Sequence, residues 1–321
     1  MTAVFYRWNE WLGKRMFLLV LSAMAMGFYL KAPDTPTLRA AVIAFFAYMT
    51  FITALSTSFR QFVKVLRRPA APLWILVLVH GVTPLVAWLA GIIFYPADLY
   101  IRMGYLVGAS IPIGVTSLIW TSLVKGNSSV SLVAITLDTL ITPVFLPLFF
   151  KAFIGQTVQI DYLKMVLELL AMITLPSLIG MMLHDWSEGR LAGFAKGIGG
   201  FTSKLAFFGV IFINASLVLS ELTFDLSLVK ALLVTLGVSA SGYFIGYLGS
   251  FALRERSPEM IMTMIYNVGM RNISTGLVLA LAYFPPAAAI PIITSMLYQQ
   301  PLAAIIPHIY KPAAASARPG R

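Results

Sequence analysis

Ten apolar stretches follow one another along 321 residues, and between them the loops are too short to build anything soluble. They run roughly 16–31, 38–58, 72–94, 100–124, 128–150, 160–184, 201–220, 227–253, 258–283 and 286–310. Crossing about 30 Å of hydrocarbon at about 1.5 Å per residue takes close to twenty residues. Each stretch is read as one span, some only just long enough. With 59% hydrophobic residues, the chain reads as an all-α polytopic membrane protein. Residues 1–311 form a single transmembrane unit, and 312–321, rich in Ala, Pro and Arg, are expected to be disordered. The first apolar stretch lacks a small-residue cleavage site, which argues against a removed signal peptide.

The charges test that count. Of 23 Lys and Arg, six (Lys31, Arg39, Arg102, Lys151, Lys164, Lys230) fall on one side of a ten-span topology. Sixteen fall on the other, and Arg271 belongs to neither. Cytoplasmic loops gather Lys and Arg, so both termini are expected in the cytoplasm of a cell-membrane protein. The net charge of +11 is accounted for this way and implies no nucleic acid. The lipid bilayer is the expected partner, with no obligate protein partner evident. Ten spans divide into five and five, which gives two inverted repeats, about 16–150 and 160–310.

No cysteine is present. That removes disulfides, thiolate metal sites and cysteine nucleophiles, and argues against a carrier of soft metalloids. An intramembrane aspartyl protease needs two aspartates at depth, and only Asp138 qualifies. A serine protease has His80 as its one base at depth and no Gly-x-Ser-x-Gly. The chain is not read as an enzyme. Channels and receptors fit less well than a transporter, because paired interruptions in inverted halves suit alternating access.

The interruptions carry the chemistry. The fourth stretch holds Pro112-Ile113-Gly114-Val115-Thr116-Ser117, and its counterpart, the ninth, holds Asn267-Val268-Gly269-Met270-Arg271-Asn272. A guanidinium at membrane depth costs a few kcal/mol or more, and it persists where something nearby is negative, wet or polar. Broken helices in membranes line cavities. Asp138 is the other deep charge, and Ser131, Ile135 and Asp138 fall on one helical face. Asp138 is therefore the expected ion-pair partner of Arg271. His80, one turn before Pro84, is either a proton carrier or a hydrogen-bonded packing residue. Asn272 either bonds a neighbouring helix or faces the cavity.

These stretches resemble the bile acid:sodium symporter family. The resemblance rests on Pro112, Gly114, Ser117, Lys125-Gly126-Asn127, Ser131, Thr139 and Pro143, on Asn267 to Asn272, and on Pro84 and Trp88. The auxin-efflux-type carriers share the architecture. The resemblance implies a core domain of spans 3–5 and 8–10, a panel domain of spans 1–2 and 6–7, and spans 4 and 9 broken and crossing. Substrate would bind between the two domains. It also implies two sodium sites beside the crossing. The first uses a Ser-Asn pair, hydroxyls and a glutamate, which here read Ser117-Leu118, Ser131, Ile135 and Asn267. The second uses that glutamate and two glutamines, which here read Asn267, Arg271 and Val79. A sodium ion and a guanidinium about 4 Å apart repel by several kcal/mol at an effective dielectric near 20.

The expected function is therefore secondary transport of an organic anion by alternating access, with Arg271 standing in for the second ion. Coupling to protons would run through Asp138. The alternative is a sodium-dependent organic anion or bile acid symporter with one remodelled site at Ser117, Ser131, Asn267 and Asp138. The expected site residues are Arg271, Asp138, Asn267, Asn272, Ser117, Thr116, Ser131 and His80. No cofactor is expected beyond Na+ or H+ as the coupling ion.

Overall fold

A computed structural model describes residues 2–33, 35–60, 63, 70–154, 161–218, 226–254 and 256–310; the tail 312–321 lies outside them. Among the described residues the chain is helical, without a named strand. An amphipathic helix α1 (Thr2–Lys14) precedes α2 (Met16–Leu30) and α3 (Pro36–Ala54). Then come α4 (Ala70–Phe94), α5 (Leu99–Ser110), α6 (Thr116–Leu123) and α7 (Ser128–Ile154). The remainder is α8 (Tyr162–Trp186), α9 (Gly200–Val218), α10 (Leu226–Gly249), α11 (Pro258–Gly269), α12 (Ile273–Tyr283) and α13 (Ile290–Ile309).

Seven helices among the described residues are long and apolar enough to cross a membrane, fewer than the ten stretches read from sequence. The other three fall short for identifiable reasons. α2 has only 15 residues. Stretches 100–124 and 258–283 each fold as two half-length helices, α5 with α6 and α11 with α12.

Local chemistry places the breaks. α5 begins on an Asp98 side chain that accepts from the Ile101 N–H, and it ends at Ser110 before Pro112. α12 begins on Asn272, whose side chain accepts from the Thr275 N–H at 3.4 Å. Asn272 therefore caps α12 through its side-chain oxygen. α4 carries a π turn at Leu78–Val82 and α8 another at Leu170–Thr174. Each lies just before a proline, Pro84 or Pro176, whose missing N–H frees a carbonyl one turn back. In α7, which contains Pro143 and Pro147, the Thr139 and Thr142 hydroxyls donate to the Ile135 and Asp138 carbonyls.

The main hydrophobic core lies around the half-helices. Leu106, Val107 and Ile111 of the first pair meet Leu277 and Val278 of α12, and Ile292 and Ile293 of α13. Large apolar side chains such as Leu148, Leu163, Leu233 and Phe244 stay exposed, as a hydrocarbon surround requires. Close backbone approach holds α5 against the turn before α13: a Cβ added at Gly104 would lie 2.3 Å from the Ala288 carbonyl oxygen. Gly104→Ala should therefore destabilise by about 1–3 kcal/mol or more, read as a fall in the unfolding temperature of the purified protein in detergent.

Candidate functional site

The two interruptions cross and pair as a short antiparallel bridge between Ile113 and Arg271. The Gly114 N–H donates to the Met270 carbonyl at 3.1 Å, and the Asn272 N–H to the Pro112 carbonyl at 2.8 Å. Only glycine fits at 114, since a Cβ there would lie 2.7 Å from the Arg271 carbonyl oxygen. Backbone groups freed by each break are thus satisfied by the other break, which is how non-helical chain survives at this depth.

Arg271 is only 8% exposed, and it is held by oxygens. Its Nε–H donates to the Ala109 carbonyl at 3.1 Å and its Nη2 to the Thr83 hydroxyl at 2.6 Å. Its backbone N–H donates to Gln299 Oε1 at 2.8 Å. Thr83 in turn donates to the Val79 carbonyl at 2.8 Å. Ala109 lies in the last turn of α5, where carbonyls lack helical partners and the helix end carries roughly half a negative charge. The guanidinium is therefore balanced in part by a helix terminus.

The expected Arg271–Asp138 ion pair does not form. Asp138, fully buried, accepts instead from His80 Nε2 at 2.5 Å, the Ile113 N–H at 2.6 Å and the Thr142 hydroxyl at 3.2 Å. The reason is geometric. The broken α5–α6 segment offers a bare carbonyl at Ala109 and a bare N–H at Ile113. The cation takes the first and the carboxylate takes the second, so the two charges flank the break without meeting. His80 is Asp138's partner, set in the π turn of α4 and packed 4.5 Å from the Phe145 ring. Its Nδ1 has no partner among the described residues.

Ser117, Ser131 and Asn267 do come together. Asn267 Oδ1 accepts from Ser131 at 3.0 Å and from Ser117 at 3.4 Å, while its Nδ2 donates to the Thr263 carbonyl at 2.8 Å. The cluster is neutral, and its oxygens already serve one another. Asp138, the fourth residue of the cation set expected from sequence, bonds His80, Ile113 and Thr142 instead. At the second position the guanidinium of Arg271 stands where the resemblance implies a neutral glutamine, bound to the Ala109 carbonyl and the Thr83 hydroxyl, and its fixed positive charge repels a cation. The residues present do not fit a sodium ion there. Thr116 is the first residue of α6 and only half-buried.

Sequence reasoning missed Thr83, Thr142 and Gln299, and also the backbone groups of Ala109 and Ile113. Thr83 had one usable signal, its place between His80 and Pro84. Glu168 accepts from the Tyr283 hydroxyl and ties α8 to α12. His184 and Asp185 bind the Leu55 carbonyl and Ser58, which fixes the segment after α3. Thr83→Val keeps the shape but removes the acceptor for Nη2. It should cost about 1.5–3 kcal/mol, as for a hydrogen bond to a charged group, measured by thermal or denaturant unfolding in detergent.

A profile of the Sodium Bile acid symporter family matches residues 42–224. Bacillus subtilis (strain 168) protein YbaS is 33% identical over 81% of this chain and 85% of its own. The same organism's YocS, described as a sodium-dependent transporter, is 24% identical over 78% of this chain and 76% of its own. A rice (Oryza sativa subsp. japonica) protein described as a probable chloroplastic sodium/metabolite cotransporter, BASS1, is 26% identical over 60% of this chain and 47% of its own. The chain belongs to the sodium bile acid symporter family, and it is a multi-pass membrane protein of a transporter family.

Proposed function

We propose that this protein carries a small organic anion across the cell membrane by alternating access, without a sodium ion at the family's second site. The two halves, about 16–150 and 160–310, act as inverted repeats, and both termini face the cytoplasm. The core (spans 3–5 and 8–10) rocks against the panel (spans 1–2 and 6–7). The observation that carries the reading is the guanidinium of Arg271, bound to Thr83 and Ala109 where the family resemblance places an ion. A fixed positive charge and a sodium ion repel too strongly to share that space. The substrate is taken as an anion because Arg271 and the N-termini of α6 and α12 supply positive potential at the crossing.

Coupling then falls to the proton. Asp138 and His80 form a buried acid–base pair, and the same carboxylate holds the Ile113 N–H next to the crossing. Protonating Asp138 weakens its hold on both partners. That ties proton occupancy to the geometry of the break that also carries Arg271.

A second reading is sodium dependence through the Ser117–Ser131–Asn267 cluster, favoured by its three converging oxygens and by the sodium named for two relatives. A thermal-shift screen of organic anions separates them, run in sodium or choline salts at acid and neutral pH. The expected result is stabilisation by a particular anion, equal in both salts and stronger at acid pH. Stabilisation that appears only with sodium supports the second reading instead.

A further inference from the structure

Helix α1 divides its surface into three arcs. The first is docked on the rest of the chain and comprises Phe5, Asn9 and Leu12, spaced i, i+4 and i+7. The Phe5 ring lies 5.8 Å from that of Phe201, and Leu12 packs against the cluster of Leu19, Phe207 and Ile211. Asn9 Nδ2 donates to the Lys196 carbonyl at 2.7 Å, and Asn9 Oδ1 accepts from the Lys204 ammonium. Tyr6 donates to the Gly193 carbonyl at 2.7 Å. These contacts fix α1 against the start of α9 and the turn before it.

The second arc is apolar and open. Val4, Trp8 and Trp11 share it, again at i, i+4 and i+7. Trp8 is 52% exposed although its ring meets that of Phe201, and Trp11 is 54% exposed. A contiguous apolar face of this kind marks an interaction surface. Exposed apolar side chains continue on both neighbouring helices. Leu18 and Leu21 follow on α2, and Leu205 follows Phe201 by one turn on α9. The open arc thus lies in sequence and packing between two helices that turn apolar side chains outward, as hydrocarbon requires.

The third arc is basic and borders the second. Arg7 and Lys14 stand there by helical register, with Glu10 as the only acidic residue before α2. Arg15, at the turn into α2, is exposed and lays its guanidinium 4.5 Å over the Trp11 ring. Indoles sit at headgroup depth in a bilayer, and cationic side chains reach from there toward phosphates. From the fixed docking, the open apolar arc and its basic rim, we infer that α1 lies in the bilayer–water interface and binds anionic phospholipid headgroups through Arg7 and Arg15. Charge complementarity selects this occupant, since an apolar protein partner leaves the cations unmatched and a zwitterionic surface needs no excess of them. The inference is independent of the solute carried and of the coupling ion.

The chain has no cysteine, so Val4→Cys provides a single site for a spin label on the open arc. The full-length protein is placed in nanodiscs of phosphatidylcholine, to which phosphatidylglycerol is added stepwise. The label should be reached by oxygen in preference to a water-soluble nickel chelate. It should also lose mobility, saturably, as phosphatidylglycerol rises. Arg7→Gln with Arg15→Gln should shift that titration by at least about tenfold, each basic residue at an anionic surface contributing about fivefold. Both residues are exposed, so folding should survive, and the unfolding temperature checks it. Raised salt should weaken the response in the labelled chain without those two substitutions. A label open to the chelate in both bilayers overturns the inference. So does a phosphatidylglycerol response that ignores salt or persists unchanged in the double variant. Dipolar coupling between labels in nanodiscs holding two copies, with oxygen access lost, assigns the face to a second copy and overturns it too.

Discussion

Asp138→Asn should stop proton-driven uptake, with a fall of at least about a hundredfold, while the protein still folds. The amide keeps an oxygen for the Ile113 N–H, so the crossing retains its local bond. What it cannot do is exchange a proton with His80, 2.5 Å away. A hundredfold loss corresponds to about 2.7 kcal/mol. By contrast, Asp138→Leu removes the side-chain acceptor, leaving His80 and the Ile113 N–H unsatisfied in a buried setting. That should destabilise by about 3–5 kcal/mol, the usual effect of breaking one side of a buried pair. The two variants separate coupling from architecture. Flux into proteoliposomes under an imposed pH gradient reads the first, and the unfolding temperature reads the second. Full uptake by Asp138→Asn would remove Asp138 from the mechanism.

The second large effect is a change of ion. The family stretch has a glutamate and a glutamine where this chain has Asn267 and Arg271. Arg271→Gln combined with Asn267→Glu removes a positive charge and adds a negative one beside Ser117 and Ser131. Two unit charges at about 4 Å change the electrostatic balance by several kcal/mol at an effective dielectric near 20. The double variant should therefore acquire sodium-dependent stabilisation that the parent lacks. Asn267→Glu alone should not, because the fixed positive charge of Arg271 remains at the crossing. If the double variant ignores sodium, the oxygens around the crossing are wrongly placed for an ion, and the charge argument is insufficient.

How much of this could be read from sequence depends on the kind of group involved. Arg271 and the polar interruptions stood out because charge and Asn are costly in an apolar run; that the two interruptions cross was implied only by the family resemblance. Ser117, Ser131 and Asn267 were grouped by the family resemblance alone, and their side chains hydrogen-bond to one another. The pairing of Asp138 was misread because sequence shows side-chain charges and hides backbone ones. Breaking a helix exposes a carbonyl at Ala109 and an N–H at Ile113, and these took the two charges apart. Thr83 and Gln299 carry no charge and no diagnostic spacing, so nothing in the sequence tied them to residue 271. Span counting suffered from the same breaks: half-helices such as α5 and α12 fall below spanning length although their stretches do not.

The central claim is that a guanidinium has displaced a sodium ion at the second family site. Equilibrium binding of radiolabelled sodium to the purified protein tests it most directly, from micromolar to tens of millimolar at constant ionic strength. The account predicts no saturable binding in the parent protein and saturable binding in the Arg271→Gln, Asn267→Glu double variant. Saturable sodium binding by the parent that is lost when Val79 or Thr83 is altered would contradict it.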